Sequence, residues 1–274
     1  MIAGQLSNYT CEGCASYNML KLTRLLHFHY QDRTDLLDSY ERTLFNQMLG
    51  IQDPASPHEF NCYYTGLSPG AFKQQPLNYF PHGNPGAYST DYDNFPCDHA
   101  TGMETQAKVA DTIYSRDARG VFVNLFIPSE VNCADQGLTL RQTTGFPDDP
   151  VTRIEVTSGA AAMTLRVRVP AWVAATPRVR LNGAEVRGAI ADAGTSGGGG
   201  APGGPGDWVV IGRQWRKGDR LEVTLPMRLT FSPALDQPSV QAVTYGPVVL
   251  SGAYGTDAST AMPRLDTTSV RRIA

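Results

Sequence analysis

The chain changes its periodicity near residue 115, and that change limits the fold more than any other property of the sequence. Before it, apolar residues recur at helical spacing. From Cys14 to Phe28 the apolar Tyr17, Leu20, Leu25 and Phe28 alternate with Lys21 and Arg24, which predicts an amphipathic helix. Thr34 to Met48 repeats the pattern: Thr34 is placed to cap the N-terminus, Leu36, Leu37, Tyr40, Leu44 and Met48 form the apolar stripe, and Gly50 is placed to stop it. A third helix is predicted from Thr101 to Tyr114, with Met103, Ala107, Ala110 and Ile113 on one side.

After Arg119-Gly120 the signals become those of strands. Val121 to Ile127 stops at Pro128, Leu138 to Gln142 follows Gly137, and Met163 to Val169 alternates with period two before Pro170, predicting one wet face. Further strands are predicted at Arg178 to Leu181 ahead of an Asn182-Gly183 turn, at Trp208 to Ile211, at Leu221 to Leu225 and at Val240 to Thr244. So many short strands predict an antiparallel β-sandwich. Gly194 to Gly206 is nearly all glycine and proline, with nothing to bury, and reads as a mobile hairpin loop within that sandwich. The fold class is therefore α+β and multidomain, helical over 1–118 and β-sandwich over 119–274. Three helices cannot enclose a core by themselves, so their stripes are expected to need partners that the chain does not contain.

Composition removes several classes of function. A net charge of -3, with lysines and arginines scattered, gives no basic field for phosphates, so nucleic acid is not an expected partner. No apolar run approaches the roughly 20 residues that span a bilayer, and Met1 to Asn8 carries no leader pattern. No membrane association is expected, and localisation, secreted or cytoplasmic, stays open. The 41% hydrophobic content of the 274 residues supports a real core. Five cysteines are an odd number, and their spacing is not that of a disulfide framework.

Three of those cysteines sit in two short runs, Thr10-Cys11-Glu12-Gly13-Cys14-Ala15 and Phe95-Pro96-Cys97-Asp98-His99. Each combines thiols with a carboxylate at the start of a predicted helix. Soft thiolates beside carboxylates suit zinc, and a thiol on a divalent cation loses its proton and becomes a nucleophile. Glu12, Cys14, Cys97 and Asp98 are the candidate metal ligands and zinc the candidate cofactor, with Cys11 a spare thiolate. His99, two residues beyond Cys97, is a candidate for hydrogen bonding a hydroxyl of a bound substrate, and Tyr63 and Tyr64 for stacking and hydroxyl contacts.

Glu12-x-Cys14 with Ala-Ser-Tyr-Asn-Met-Leu-Lys-Leu-Thr-Arg after it, Cys97-x-x-x-Thr-Gly-Met-Glu, Val123-Asn124-Leu125-Phe126-Ile127-Pro128-Ser129-Glu130 and Tyr245-Gly246-Pro247-Val248-Val249-Leu250 together resemble the beta-L-arabinofuranosidases of glycoside hydrolase family 127 and its close relative, family 146. The resemblance implies an (α/α)6 catalytic barrel followed by β-sandwich domains, with this chain holding the last barrel helices and the first sandwich. It implies a retaining glycosidase acting on arabinose-containing oligosaccharides or polysaccharides, with zinc held by a glutamate and cysteines. Glu12 and Cys14 match the family's metal pair, and Cys97 matches the position of its cysteine nucleophile. Where the family has a second, adjacent cysteine, this chain has Asp98. The family's general acid/base glutamate lies before the Glu-x-Cys motif, so the resemblance implies a fragment without it, inactive in isolation.

Other residues have plainer readings. Asp98 could cap the third helix, and Glu104 complements that helix's dipole. His27, His29, His58 and His82 read as structural or solvated. Cys62 and Cys133 read as packing residues, and Trp172, Trp208 and Trp215 as sandwich filling. The competing function is a non-catalytic carbohydrate-binding or scaffolding module with a structural metal. A thiol peptidase using Cys97 and His99 is disfavoured, because neighbours that close in sequence rarely reach nucleophile-base geometry.

Overall fold

The computed structural model describes residues 11–55, 61–63, 65, 97–186, 205–234 and 237–252. Tyr64, His58, His82 and the glycine-rich run up to residue 204 lie outside them. The chain forms two compact units interleaved in sequence, one of Met1–Leu22, Arg42–Lys108 and Leu229–Ala274, the other of Thr23–Glu41 and Val109–Arg228. Its helices are α1 (Gly13–His29), α2 (Thr34–Thr43), which runs into one π-turn at Leu44–Met48, and α3 (Cys97–Ile113).

The second unit is built on β1 (Tyr114–Asp117), β2 (Gly120–Val123), β3 (Ser129–Cys133), β4 (Leu138–Thr144), β5 (Val151–Val169), β6 (Arg178–Leu181), β7 (Ala184–Glu185), β8 (Asp207–Arg216) and β9 (Arg220–Thr224). The 19-residue β5 holds it together. Its first half pairs antiparallel with β4 and β9, and β9 leads on to β6 and β7. Its second half pairs antiparallel with β8 and parallel with β2. The expectation of a purely antiparallel sandwich is corrected by that parallel pair. The β3–β4 hairpin lies between β2 and β5 in sequence, long enough for the crossover that parallel strands require. Expected strands at Arg178 to Leu181 and the Asn182-Gly183 turn are found, both turn residues having positive φ.

The wet face expected of Met163 to Val169 is also corrected, since every residue there is buried, Thr164, Arg166 and Arg168 included. Alternation holds in the first half of β5, where Thr152, Ile154 and Val156 are the buried members. Along the second half the polar face is covered from α2. Leu37 packs with Phe122 and Trp208, and the Arg168 guanidinium reaches Asp38 at 2.6 Å and also Glu41, while its Nε donates to the Asn124 carbonyl at 2.7 Å. Glu41 accepts in turn from Trp172 Nε1 at 2.7 Å. Trp215 is 1% exposed, in keeping with its reading as filling.

His27 is fully buried, with no hydrogen bond of ordinary geometry at either ring nitrogen. Burial first, and then the Arg168 charge, lower its pKa to about 4, against weaker support for the charged ring from Asn124 and Asp32. An unfolded histidine titrates near 6.5, so between pH 6.5 and 4 the unfolded chain binds a proton that the folded chain refuses. Stability is full above about pH 6.5 and falls as pH drops through that window, by about 2 kcal/mol from pH 7 to pH 5. Urea midpoints measured across that range should show this loss. His27→Gln should flatten it, and an unchanged slope in the variant would assign the loss to other groups.

In the first unit, β10 (Leu229–Pro233), β11 (Gln241–Tyr245) and β12 (Val248–Leu250) form an antiparallel sheet. The Asn46 side chain on the π-turn donates to the Pro247 carbonyl and accepts from the Val249 amide, both at 2.7 Å, so it ties that sheet's edge to the turn. The expected stripe of α2 and its continuation is buried at Leu37, Tyr40, Leu44 and Met48; these residues find their partners within the chain, against expectation. On α1, Tyr17 and Leu20 are buried, whereas Met19, Leu22, Leu25, Leu26 and Phe28 are exposed. Thr34 does not cap α2 through its hydroxyl, which donates instead to the Gly206 carbonyl at 2.7 Å. The third helix starts at Cys97 rather than Thr101, and of its expected inward face only Ile113 is buried. Gly102, Thr105, Thr112 and Ile113 are buried while Met103 is 59% exposed. The reason lies at Gly102, where a Cβ would sit 2.3 Å from Asn61 Nδ2. The smallest residue, not the largest, marks the contact.

Candidate metal centre

The N-terminal turns of α1 and α3 supply the two cysteine runs, and the segment around Tyr63 is laid across the first of them. The Gly13 amide donates to the Tyr63 carbonyl at 3.1 Å and the Thr65 amide to the Cys11 carbonyl at 3.1 Å. Gln52 bridges Asn61, and the Cys62 amide donates to the Ile51 carbonyl at 2.8 Å. Ile51 Cδ1 would lie 3.1 Å from a Cβ at Gly13. A side chain between Glu12 and Cys14 would therefore press on a fully buried isoleucine.

This packing brings together Glu12, Cys14 and Cys97, whose ligand atoms all lie within 4.8 Å of one another. Cys14 is buried, Glu12 half-buried and Cys97 exposed. The two sulfurs are 3.1 Å apart, and Tyr63 Oη lies 3.1 Å from Cys97 Sγ. Thr101 Oγ1, one turn after Cys97, donates to Cys14 Sγ at 3.7 Å. Burial first, and then the hydrogen bond with Cys97, push the Cys14 thiol up to about 12. The Tyr63 phenol is raised chiefly by its bond to Cys97, with burial second. Without a cation, the site resists gathering negative charge.

Zinc bound by sulfur near 2.3 Å and oxygen near 2.0–2.2 Å holds its donors about 3.5 Å from one another. The three atoms fit that spacing within the reach of side-chain rotation, and they leave a coordination position over. Asp98 is not one of the trio. It is fully buried in the first turn of α3, where its Cβ lies 3.5 Å from the position of a Gly13 Cβ. Neither carboxylate oxygen has a hydrogen bond of ordinary geometry. Burial pushes its pKa up to about 6, Glu12 adds to the rise, and its own amide and that of His99 oppose it. A buried carboxylate held by no hydrogen bond of ordinary geometry is uncommon, and Glu12 lies near enough to add to the rise of its pKa. The helix already runs from Cys97, so Asp98 lies inside it rather than capping it.

The other candidates are dispersed. Cys11 Sγ donates to Gln47 Oε1 at 2.7 Å and lies outside the trio. His99 is half-buried on α3 and is not a member either. Glu104 pairs with Lys21 at 3.1 Å. Cys62 and Cys133 are buried, as expected of packing residues. Thr101 was not singled out from the sequence, although its four-residue step from Cys97 on a helix is the signal that places both side chains on one face. Among the described residues, no helix is long and apolar enough to cross a membrane.

Comparison with known proteins gives matches for both parts of the chain. Residues 1–111 match the model of the beta-L-arabinofuranosidase GH127 catalytic domain, and residues 120–227 that of the GH127 middle domain. Among solved structures, the chain is similar to a glycoside hydrolase at 20% identity and a TM-score of 0.69, covering 87% of this chain and 37% of that one. It is similar to a GH127 beta-L-arabinofuranosidase from Geobacillus stearothermophilus T6 at 22% identity and a TM-score of 0.67, covering 89% and 37%. A GH127 beta-arabinofuranosidase matches at 21% identity and a TM-score of 0.65, covering 87% and 36%. The chain thus spans little more than a third of the length of these structures. No curated protein matches the sequence.

Proposed function

Because the chain belongs to the GH127 beta-L-arabinofuranosidase family, we propose that it forms part of a retaining glycoside hydrolase that cleaves beta-L-arabinofuranosides and uses Cys97 as its nucleophile. The observation that carries this reading is the convergence of Glu12, Cys14 and Cys97 within 4.8 Å, with the Cys97 thiol at the exposed side. On this reading, residues 1–118 are part of an (α/α)6 barrel and the substrate is an arabinose-containing oligosaccharide or polysaccharide.

Glu12, Cys14 and Cys97 are the residues that would hold zinc, with Asp98 as fourth donor in place of the family's second cysteine. When bound, the cation supplies the positive charge that lets these thiols stay deprotonated. Cys97 Sγ attacks the anomeric carbon, and a carboxylic acid, which the resemblance places before Glu12, protonates the leaving oxygen. The C–S bond formed is then broken by water, so that two inversions give net retention. Tyr63 Oη, 3.1 Å from Cys97 Sγ, fixes the rotamer of the nucleophile, and Thr101 does the same for Cys14.

The test uses the protein extended upstream to include the acid that the resemblance places before Glu12, and measures zinc per chain by elemental analysis together with p-nitrophenol release from a panel of furanosides that includes the beta-L-arabinofuranoside. About one zinc per chain and turnover on that substrate are the expected results, with chelator removing both. Zinc without turnover on any member of the panel would favour a structural metal in a carbohydrate-binding module.

A further inference from the structure

We propose that Cys14 and Cys97 form a reversible oxidation site at which a peroxide converts the exposed Cys97 thiol to a sulfenic acid and the buried Cys14 thiol resolves it as an intramolecular disulfide. The inference needs the thiol pair, not the hydrolase reading.

The geometry selects this pair from the five free cysteines. Their sulfurs are 3.1 Å apart, inside ordinary sulfur contact, and need to close by only about 1 Å to reach the covalent distance of about 2.05 Å. Both lie in the first turns of their helices, α1 and α3, where a small rotation of each side chain supplies that movement. Cys97 is exposed, so a small oxidant reaches it, whereas Cys14 is buried and meets only what Cys97 has become. The Cys11-x-x-Cys14 spacing suggests a rival pairing, but Cys11 Sγ is engaged with Gln47 Oε1 at 2.7 Å. Cys62 is fully buried.

The chemistry closes without a further reagent. Cys97 sulfur attacks one peroxide oxygen, the O–O bond breaks as the S–O bond forms, and the thiol proton leaves with the second oxygen as water. Cys14 sulfur then attacks Cys97 sulfur, the S–S bond forms as the S–O bond breaks, and the departing hydroxide takes the Cys14 proton as a second water. The two thiols lose two electrons and two hydrogens to the peroxide. The product removes both sulfurs from the donor set, so oxidation and zinc compete for the same atoms. Tyr63 Oη, already at Cys97 Sγ, is placed to hydrogen-bond the sulfenic oxygen between the two steps.

The experiment treats chelator-stripped, reduced protein with one equivalent of hydrogen peroxide, alkylates the remaining thiols and maps the peptides without reduction. The expected result is loss of two of the five titratable thiols, a Cys14–Cys97 linked peptide lighter by two hydrogens, and full reversal by dithiothreitol. Protein loaded with zinc beforehand should keep its thiols. Cys11→Ser should leave the linkage unchanged, and Cys14→Ser should leave Cys97 as a sulfenic acid that a 1,3-diketone probe traps. Should Cys14→Ser fail to fold, the wild-type map still decides. A Cys11–Cys14 linkage, or Cys97 oxidised to the sulfinic acid while Cys14 still alkylates, overturns the proposal. The readout is a bond, not turnover. A protein that forms the linkage but hydrolyses no furanoside would lose the hydrolase reading and keep this one, and the converse result would do the reverse.

Discussion

Glu41→Gln is expected to lower the unfolding free energy by about 3 kcal/mol, the range measured when one member of a buried ion pair is removed. Glu41 and Arg168 are both fully buried, and each carries further bonds that hold it in place. Arg168 also reaches Asp38 at 2.6 Å and the Asn124 carbonyl at 2.7 Å, and Glu41 accepts from Trp172 at 2.7 Å. Glutamine retains an acceptor for the tryptophan but not the charge, so the loss reports on the guanidinium left with less than its full complement. Such a pair is costly to break and not costly to replace. Arg168→Met combined with Glu41→Leu should recover much of the loss, because the desolvation of both ions is removed together. Urea unfolding of Arg168→Met, Glu41→Leu and the double variant measures this cycle. Strictly additive losses would mean that Arg168 and Glu41 do not act as a pair.

That network also marks where sequence reading stops. Arg166 and Arg168 alternate with Leu165, Val167 and Val169, and alternation of this kind ordinarily separates a dry face from a wet one. Here both faces are dry, because Asp38 and Glu41 on α2 neutralise Arg168, while Arg166 pairs with Asp117 on β1; the case of Arg168 shows the difficulty. The partners lie more than 120 residues away in sequence, with |i−j| of 130 and 127, and no local pattern links them. Most of the inward face of α3 escapes sequence reading for a related reason: large apolar residues do not define it, since Gly102 admits the Asn61 side chain and Met103 lies outside. The grouping of Glu12, Cys14 and Cys97 was legible, since Glu12-x-Cys14 and Cys97 combine unusual residue types at helix starts, and a cluster of that kind is carried by identity rather than by periodicity. The neighbourhood that tunes the trio was legible only in part. Tyr63 was a candidate for sugar contact and is found on Cys97 Sγ. The burial of Asp98 follows from how closely α3 approaches Gly13, which the sequence does not record.

Cys97→Ser is expected to separate chemistry from folding. Cys97 is exposed, and its side chain touches Cys14 and Tyr63, so lost packing should cost no more than about 0.5 kcal/mol, and any further loss reports on the zinc that Cys97 would hold with Glu12 and Cys14. If the thiol is the nucleophile, kcat should fall by at least about 10^3-fold, because a serine hydroxyl is far less acidic and less nucleophilic than a thiol. Cys14→Ser supplies the contrast. That thiol is buried against Thr101 and Cys97, so its replacement should weaken zinc binding and stability together. The measurement is zinc content, urea midpoint and kcat for both variants of the intact protein. Turnover lost in Cys97→Ser with the fold retained would place the chemistry on that sulfur. A folded Cys97→Ser variant with wild-type turnover would exclude it as nucleophile, and unfolding of both variants on loss of zinc would assign the metal a structural part.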